Sequence, residues 1–160
     1  MSEFPECLKC GACCRHLLDD RGGIVKGLVL TESEKSLFPE DIVSPNIAVG
    51  RRKPEHMINY QLNVQVCPFV GEKNECGIYE KRPLVCRAFP FVQSNCSVKC
   101  QRTRQLFKKS GLKIDFPIPL IENEADQKRE RYVQNRCKRY MRNDSKMWEF
   151  DVAKKNWIEK

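Results

Sequence analysis

The sequence predicts a small, irregular α+β domain with a short antiparallel sheet and a long C-terminal helix. Residues 58–66 alternate apolar and polar side chains with a period of two, which is typical of a strand with one buried face. Residues 122–142 space their apolar side chains at the helical period instead. The chain has 160 residues, of which 41% are hydrophobic, and this content suffices for one modest core.

The elements before residue 58 are predicted to be a cysteine-rich loop, a strand, a short helix and a second loop. Residues 24–30 form a mostly apolar run that follows two glycines, so we expect a strand there. Thr31 and Glu34 match a capping box, which should begin a short helix that Pro39 ends. Residues 40–55 contain two prolines and a basic triplet, and they are predicted to be a loop.

Residues 58–66 give the clearest strand signal in the chain. One face is apolar and the other carries asparagine and glutamine, so the strand should be half-buried and antiparallel to a neighbour. The apolar face consists of Ile58, Tyr60, Leu62, Val64 and Val66. The strand leads directly to Cys67.

The helix predicted over residues 122–142 has acidic residues at its start and basic residues at its end. The helix macrodipole favours this distribution, so the basic end does not by itself indicate a ligand. Cys137 falls on the apolar stripe of this helix, which predicts a core position rather than a metal ligand. The tail that follows carries Trp148, Phe150 and Trp157, which should dock on the core or contact a partner.

Composition excludes a membrane protein and favours reduced thiols. Mean hydropathy is −0.58, and no apolar run approaches the roughly 18 residues that a bilayer span needs. The first residues lack the pattern of a secretory signal, which predicts a cytoplasmic protein. In that compartment the ten cysteines should be thiols rather than disulfides. The net charge of +8 fits an anionic partner, but it also fits arginines that compensate metal-bound thiolates.

Four cysteines within eight residues near the N-terminus predict a metal site. The spacing C-x2-C occurs twice in succession, and it lets thiolates from one tight turn reach the same metal. Thiolates are soft ligands that select zinc, copper(I) or iron–sulfur clusters. Three further cysteines follow in the middle of the chain. The predicted metal ligands are Cys7, Cys10, Cys13, Cys14, Cys67, Cys76 and Cys86.

The ligand pattern favours a 4Fe–4S cluster, with Zn²⁺ as the alternative. Bacterial ferredoxins combine C-x2-C-x2-C with a remote cysteine followed by proline, and Cys67 is followed by Pro68 here. Zinc also accepts four cysteines, but its sites more often pair two C-x2-C knuckles, and a second knuckle is missing. The sequence therefore predicts a cluster held by Cys7, Cys10, either Cys13 or Cys14, and one or more of the three remote cysteines.

The neighbours of these cysteines leave several roles open. Adjacent side chains should diverge, so Cys13 and Cys14 are not expected to bind one metal together, and one of them can complete a second site with Cys76 and Cys86. Cys96, Cys100 and His16 remain open as ligands. The arginines predicted to contact the cofactor by compensating its charge are Arg15, Arg82 and Arg87. We also expect a partly exposed metal edge that faces Arg15, His16 and Arg87.

These motifs, in this order, give the chain a specific resemblance to a known family. The segments are Cys7 to Cys14, Cys67-Pro68-Phe69, Cys76 to Pro83, and Cys86 to Pro90. Together they resemble the cysteine-cluster (CxxCxxCC) family of zinc- or iron-chelating domains, which includes a flagellin lysine methylase. The resemblance implies metal binding, and more weakly methyl transfer. It also implies that a set of aromatic, proline and arginine side chains surrounds the metal: Tyr79, Arg82, Pro83, Arg87, Phe89 and Pro90.

Three classes of function remain open from the sequence. The first is an iron–sulfur oxidoreductase or methyltransferase, or an electron-transfer partner. The second is a module stabilised by zinc that binds protein or nucleic acid. The third is a protein that handles iron or zinc. The missing nucleotide and S-adenosylmethionine motifs count against an autonomous enzyme. A protein partner or substrate is favoured over nucleic acid, and no membrane is implied. We divide the chain into a cysteine-cluster metal-binding domain, 1–110, and a linker with a C-terminal helical arm, 111–160.

Overall fold

A five-stranded antiparallel sheet forms the centre of the fold. The computed structural model describes residues 11–88, 91–92, 95–96 and 124–160. The strands of the sheet are β3 (Val29–Leu30), β4 (Val43–Gly50), β5 (His56–Leu62), β8 (Lys146–Asp151) and β9 (Asn156–Glu159). They lie in the order β3-β5-β4-β8-β9 across the sheet. With the helices described below, it confirms the predicted α+β class, although the sheet is larger than the short one expected.

The smaller elements either precede β3 or lie between β5 and β8 in the sequence. Two antiparallel ladders are formed by β1 (Asp19–Arg21) with β2 (Ile24–Lys26), and by β6 (Phe91–Val92) with β7 (Asn95–Cys96). The helices are α1 (Ala12–Arg15), α2 (Leu84–Ala88) and α3 (Glu124–Tyr140). None of the helices in the described part of the chain has the length and apolar character that crossing a bilayer requires. The cytoplasmic location stays a prediction.

The strand predicted over residues 24–30 is interrupted at Gly27. Residues 24–26 form β2 and residues 29–30 form β3, which pairs with β5 in the main sheet. Gly27 lies so close to the main chain of β5 that a Cβ atom would collide with the carbonyl oxygen of Leu62. Its amide donates to Oε1 of Gln61 at 2.8 Å. The close approach requires glycine, and it splits the run between two sheets.

Residues 31–55 differ most from the prediction. Glu34 caps the turn, since its Oε2 accepts from the Thr31 amide at 2.8 Å, but only 3₁₀ turns follow, at Glu34–Leu37 and Glu40–Ile42. The predicted loop over 40–55 is wrong for residues 43–50, which form β4. Pro45 suggested a loop because proline cannot donate a ladder hydrogen bond. The pairing of β4 with β5 shifts register between Pro45 and Ile47, and this irregularity accommodates the proline.

Strand β5 is buried on both faces, so the prediction of a half-buried strand is wrong. It pairs antiparallel with β3 and β4 as expected, but it ends at Leu62 rather than at residue 66. Ile58 and Leu62 are fully buried, and so is Gln61 on the opposite face. The Gln61 amide donates to the carbonyl oxygens of Pro45 at 2.9 Å and Phe150 at 3.1 Å. Burial of this polar side chain is tolerated because main-chain groups satisfy it.

The predicted C-terminal helix is confirmed as α3, and it packs along α2 and β5. Arg136 fixes it to the rest of the fold, because its Nη1 donates to Glu32 Oε2 at 2.9 Å and its Nη2 to the Met57 carbonyl oxygen at 2.6 Å. The Tyr132 hydroxyl accepts from the Glu32 amide at 3.0 Å. Polar contacts therefore supplement the narrow apolar stripe of this helix.

The aromatic tail docks on the core by joining the sheet. Strand β8 pairs with β4, and β9 pairs with β8. Phe150 and Trp157 pack edge to face with ring centroids 5.2 Å apart, and Trp148 Nε1 donates to the Gly50 carbonyl oxygen at 3.1 Å. Asp151, the last residue of β8, is fully buried and accepts from the amides of Ala153 and Lys154 in the turn that follows, at 2.9 Å each. The predicted division at residue 110 stays a prediction, and its linker lies outside the described residues.

Candidate metal centre

Five predicted ligands line one cavity of about 670 Å³. They come from four separate segments, and their thiols share a largely apolar wall with Leu17, Leu28, Phe38, Ile78 and Val85. The cysteines are Cys13, Cys14, Cys67, Cys76 and Cys86. All five are partly buried. The fold therefore brings together thiols that are up to 73 positions apart in the sequence (86 minus 13).

A tight turn after Gly11 places Cys13 and Cys14. Gly11 has a φ of 74°, in the left-handed region that favours glycine, and a Cβ atom there would collide with the Asn74 side chain. Its carbonyl oxygen accepts from the amide of Cys14 at 3.1 Å, which begins α1. The Cys67 amide donates to the Cys14 carbonyl oxygen at 2.7 Å. This main-chain bond joins the N-terminal cysteine turn to the segment that follows β5.

The side chains of Cys13 and Cys14 do not diverge as the sequence suggested. Their Sγ atoms are 3.9 Å apart. Two thiolates bound to one tetrahedral zinc ion at about 2.3 Å are separated by about 3.8 Å. The pair therefore has the spacing at which both sulfurs can bind one ion. Their individual roles as ligands stay predictions.

The thiols of this cavity have unlike acidities. The hydrogen bond from Cys13 lowers the pKa of Cys14 to about 7 against the opposing effect of burial, and the charges of Arg15 and Arg82 act in the same direction as the hydrogen bond. Burial raises the pKa of Cys86, and the nearby Cys14, Cys67 and Cys76 raise it further. Burial also raises the pKa of Cys67. A bound cation would lower the pKa of every thiol that it binds, because metal ligation requires thiolates and releases their protons.

Arg15 holds the loop that carries Cys76. Its Nε donates to Asn74 Oδ1 at 3.0 Å and its Nη2 to the Gly71 carbonyl oxygen at 3.1 Å. The loop is closed by the Gly71 amide, which donates to the Glu75 carbonyl oxygen at 2.8 Å. Arg15 was predicted to contact the cofactor, and that role stays a prediction. Among the described residues, the cavity wall includes Arg82 but not Arg15.

Replacing Arg15 tests this contact between the two cysteine segments. We expect Arg15→Gln to weaken metal binding about 10- to 100-fold, the range for residues that orient metal ligands, because Cys76 loses its anchor to the N-terminal turn. Competition with a chelator measures the affinity. Arg21→Gln, which removes the same charge from an exposed position in β1, is the control. If Arg15→Lys binds metal as the wild type does, charge alone matters and the anchoring role is refuted.

Cys86 and Arg82 reach the cavity from the segment around Pro83. Pro83 is fully buried and precedes α2, whose first amide, that of Leu84, donates to Glu34 Oε1 at 2.8 Å. Arg82 donates through Nε to the Tyr79 carbonyl oxygen at 2.9 Å, and its guanidinium carbon lies 3.8 Å from the centroid of the Tyr79 ring. Arg87 is exposed on α2 and, within the described part of the chain, is not among the residues of the wall.

Several predicted residues do not reach this cavity or cannot be placed. Cys7, Cys10, Cys100, Phe89 and Pro90 lie outside the described residues, and of Cys96 only its place in β7 is described. His16 is exposed, and Cys137 is partly buried on α3. Within the described ranges, no three His, Cys, Asp or Glu side chains converge to hold an ion. A complete site would therefore need Cys7 or Cys10, or a larger metal group that spans the separated thiols.

Sequence reasoning missed Asn74 and the apolar wall. Asn74 has a φ of 61° and sits in the turn between Gly71 and Cys76. Asparagine tolerates this left-handed conformation, so its place in a glycine-containing turn was a usable signal. The wall residues Leu17, Leu28 and Phe38 gave no signal, because only the fold brings them beside the thiols.

Comparison with known proteins agrees with the cysteine pattern. Residues 6–138 match the model of the CxxCxxCC family, whose description is "Putative zinc- or iron-chelating domain". The chain belongs to the CxxCxxCC family. No curated protein and no solved structure gives a significant match. The family match spans every cysteine of the cavity, and with the donor set of five thiols it supports metal binding, with zinc or iron as the metal.

Proposed function

We propose that the protein holds a 4Fe–4S cluster in the cysteine cavity and uses it in redox chemistry with a protein partner. Cys7, Cys10, either Cys13 or Cys14, and one or more of the remote cysteines Cys67, Cys76 and Cys86 would be its ligands. The observation that carries the proposal is the meeting of five thiols from four segments at one cavity. Thiolates are the ligands that such clusters require.

The arrangement of the thiols favours a cluster over a single ion. A cubane takes one thiolate at each of four irons, so its ligands surround a volume instead of converging on a point. The described thiols likewise surround a cavity of about 670 Å³, and no three described ligand side chains converge. When bound, such a cluster supplies one-electron transfer. The apolar wall excludes water, and Arg82 offsets the negative charge of the thiolates.

Zinc is the second candidate, and the Cys13–Cys14 pair favours it. The 3.9 Å separation of the two sulfurs equals, within about 0.2 Å, the edge of a tetrahedral zinc–thiolate site. In that case the metal would staple the N-terminal turn to the rest of the domain, and the protein would act as a binding module. A role in handling iron or zinc follows if the metal exchanges readily. Methyl transfer stays a prediction from the resemblance.

A protein partner suits the mouth of the cavity better than nucleic acid does. Tyr79 lines the cavity and is 54% exposed, and Val66 is also exposed close to Cys67 in sequence. Exposed aromatic and apolar side chains are typical of protein contacts. Arg82 at the same mouth is engaged with Tyr79, so it is not displayed as a separate phosphate-binding cation.

Anaerobic purification tests the proposal. We expect brown protein with broad absorbance near roughly 400 nm, and iron matched by acid-labile sulfide, because thiolate-to-iron charge transfer absorbs in that region. Reduction with dithionite should bleach the absorbance. Colourless protein that carries stoichiometric zinc under the same conditions would refute the cluster and establish the zinc alternative.

A further inference from the structure

A second cavity, of about 400 Å³, lies where the turn between β4 and β5 meets the C-terminal end of α3. His56, the first residue of β5, is part of its wall. The other end of β5 reaches Leu62, which belongs to the core cluster that packs against Cys67. A strand of this length spans about 20 Å, so the second cavity is well separated from the cysteines.

The wall of this cavity carries a positive charge. Arg51, Arg139 and Arg142 line it, with Glu55 as the carboxylate among the wall residues. At the rim, Arg51 Nε contacts Asp144 Oδ2 at 2.7 Å, and both side chains are more than half exposed. An exposed ion pair contributes little to stability, at about 0–1 kcal/mol, so an incoming anion can compete for Arg51.

The helix macrodipole accounts for only part of this charge. Arg142 caps the end of α3, since its Nη1 donates to the carbonyl oxygens of Arg139 and Met141 at 3.1 Å each. Arg51 belongs to a different element, the β4–β5 turn, which the dipole argument does not explain. Arg139 lies over the Tyr140 ring at 5.4 Å from the centroid. Two guanidinium groups, those of Arg51 and Arg139, thus face one cavity without a capping role in the helix.

A stacked aromatic pair forms another part of the wall. The rings of His56 and Tyr140 are 4.6 Å apart and inclined by only 13°. His56 is exposed, so the pair presents a flat surface to solvent. Ser145 Oγ accepts from the Arg142 amide at 2.9 Å, and its hydroxyl proton can be donated to a ligand. Arginines, a hydroxyl group and a planar stacking surface are together complementary to a phosphate ester with a ring.

We propose that this cavity binds a nucleotide, with the base stacked on His56 and the phosphates held by Arg51 and Arg139. Arginine pairs with phosphate through two parallel hydrogen bonds, which gives such sites both strength and orientation. The volume lies within the range of about 300–1,000 Å³ that is usual for small-ligand sites. A single-stranded nucleic acid would instead need a groove that follows several nucleotides. A cavity of this limited volume therefore favours a mononucleotide.

Calorimetric titration of the full-length, metal-loaded protein with ADP tests the proposal. We expect saturable binding that weakens as salt is added, because the phosphate contacts are screened. Arg51→Gln and Arg139→Gln should each weaken ADP binding at least tenfold. Arg131→Gln is the matched control, because it removes the same charge from an exposed position eight residues, or about 12 Å, earlier on α3. Metal content and melting temperature are measured for each variant. If Arg139→Gln does not fold, the result for Arg51→Gln alone decides the test.

Binding of inorganic pyrophosphate distinguishes the contribution of the arginines, which hold phosphate, from that of the His56 ring, which stacks on the base. His56→Ala should weaken ADP binding at least fivefold and leave pyrophosphate binding unchanged. No saturable binding of ADP at millimolar concentration would overturn the proposal, and so would equal affinity for ADP and pyrophosphate. A decamer of single-stranded RNA that binds more tightly than ADP would show a nucleic-acid surface instead. An equal loss of ADP affinity in Arg131→Gln would show that net charge alone causes the effect, and it would overturn the proposed site.

Discussion

Removing the metal is expected to lower the melting temperature by at least roughly 10 °C, which for a chain of this size corresponds to about 3–4 kcal/mol. Residues 63–83 connect β5 to α2 through turns and one short 3₁₀ segment, and they supply Cys67 and Cys76. Little regular hydrogen bonding holds this segment, so metal–thiolate bonds would contribute directly to folding. Circular dichroism before and after chelation measures the change.

The loss of stability should be greatest around the cysteines. Trp148 and Trp157 lie in the β8–β9 hairpin and are not among the described residues that line the cysteine cavity. Hydrogen exchange should therefore accelerate more in residues 63–83 than in β4, which is paired on both sides by β5 and β8. An apoprotein that melts at the same temperature as the metal-loaded protein would contradict this prediction.

Replacing Cys86 is expected to remove most of the bound metal. Cys86 lines the cavity, and burial raises its pKa, with a further contribution from the neighbouring thiols Cys14, Cys67 and Cys76. Serine is a harder, weaker ligand for zinc or iron, so Cys86→Ser should retain less than about one fifth of the wild-type metal content. Metal analysis of protein purified under anaerobic conditions provides the measurement.

Cys137→Ser is the matched control for this experiment. Cys137 is also a partly buried free thiol whose pKa is raised by burial, but it lies on α3 and is not a wall residue in the described structure. We expect it to keep full metal content. Cys13→Ser and Cys14→Ser, made separately, then show which of the two adjacent cysteines is needed for metal binding. If Cys86→Ser and both of these variants keep their metal, the centre lies elsewhere.

The cysteine spacing allowed prediction of the donor set but not of its geometry. C-x2-C steps and Cys67-Pro68 are local patterns, and they indicated thiolate ligation without a fold. Where Cys76 sits depends on Arg15, Asn74 and Gly71, whose hydrogen bonds cross more than 50 positions of sequence. Such long-range bonds leave no periodic signal. The same holds for the sulfur separation of Cys13 and Cys14, which the turn after Gly11 decides.

Local periodicity determined α3 and the existence of β5, because each pattern extends over at least seven residues. Tertiary structure alone decided that β5 is an interior strand, paired on both sides by β3 and β4. Gln61 and Asn59 look solvent-facing in the sequence, yet both are buried, since main-chain groups of neighbouring elements satisfy their amides. Strand β4 escaped prediction because Pro45 outweighed its apolar residues, and the register shift beside it appears only once β5 is paired. The second cavity likewise depends on packing, which brings Arg51 and Arg139 together from elements almost ninety positions apart.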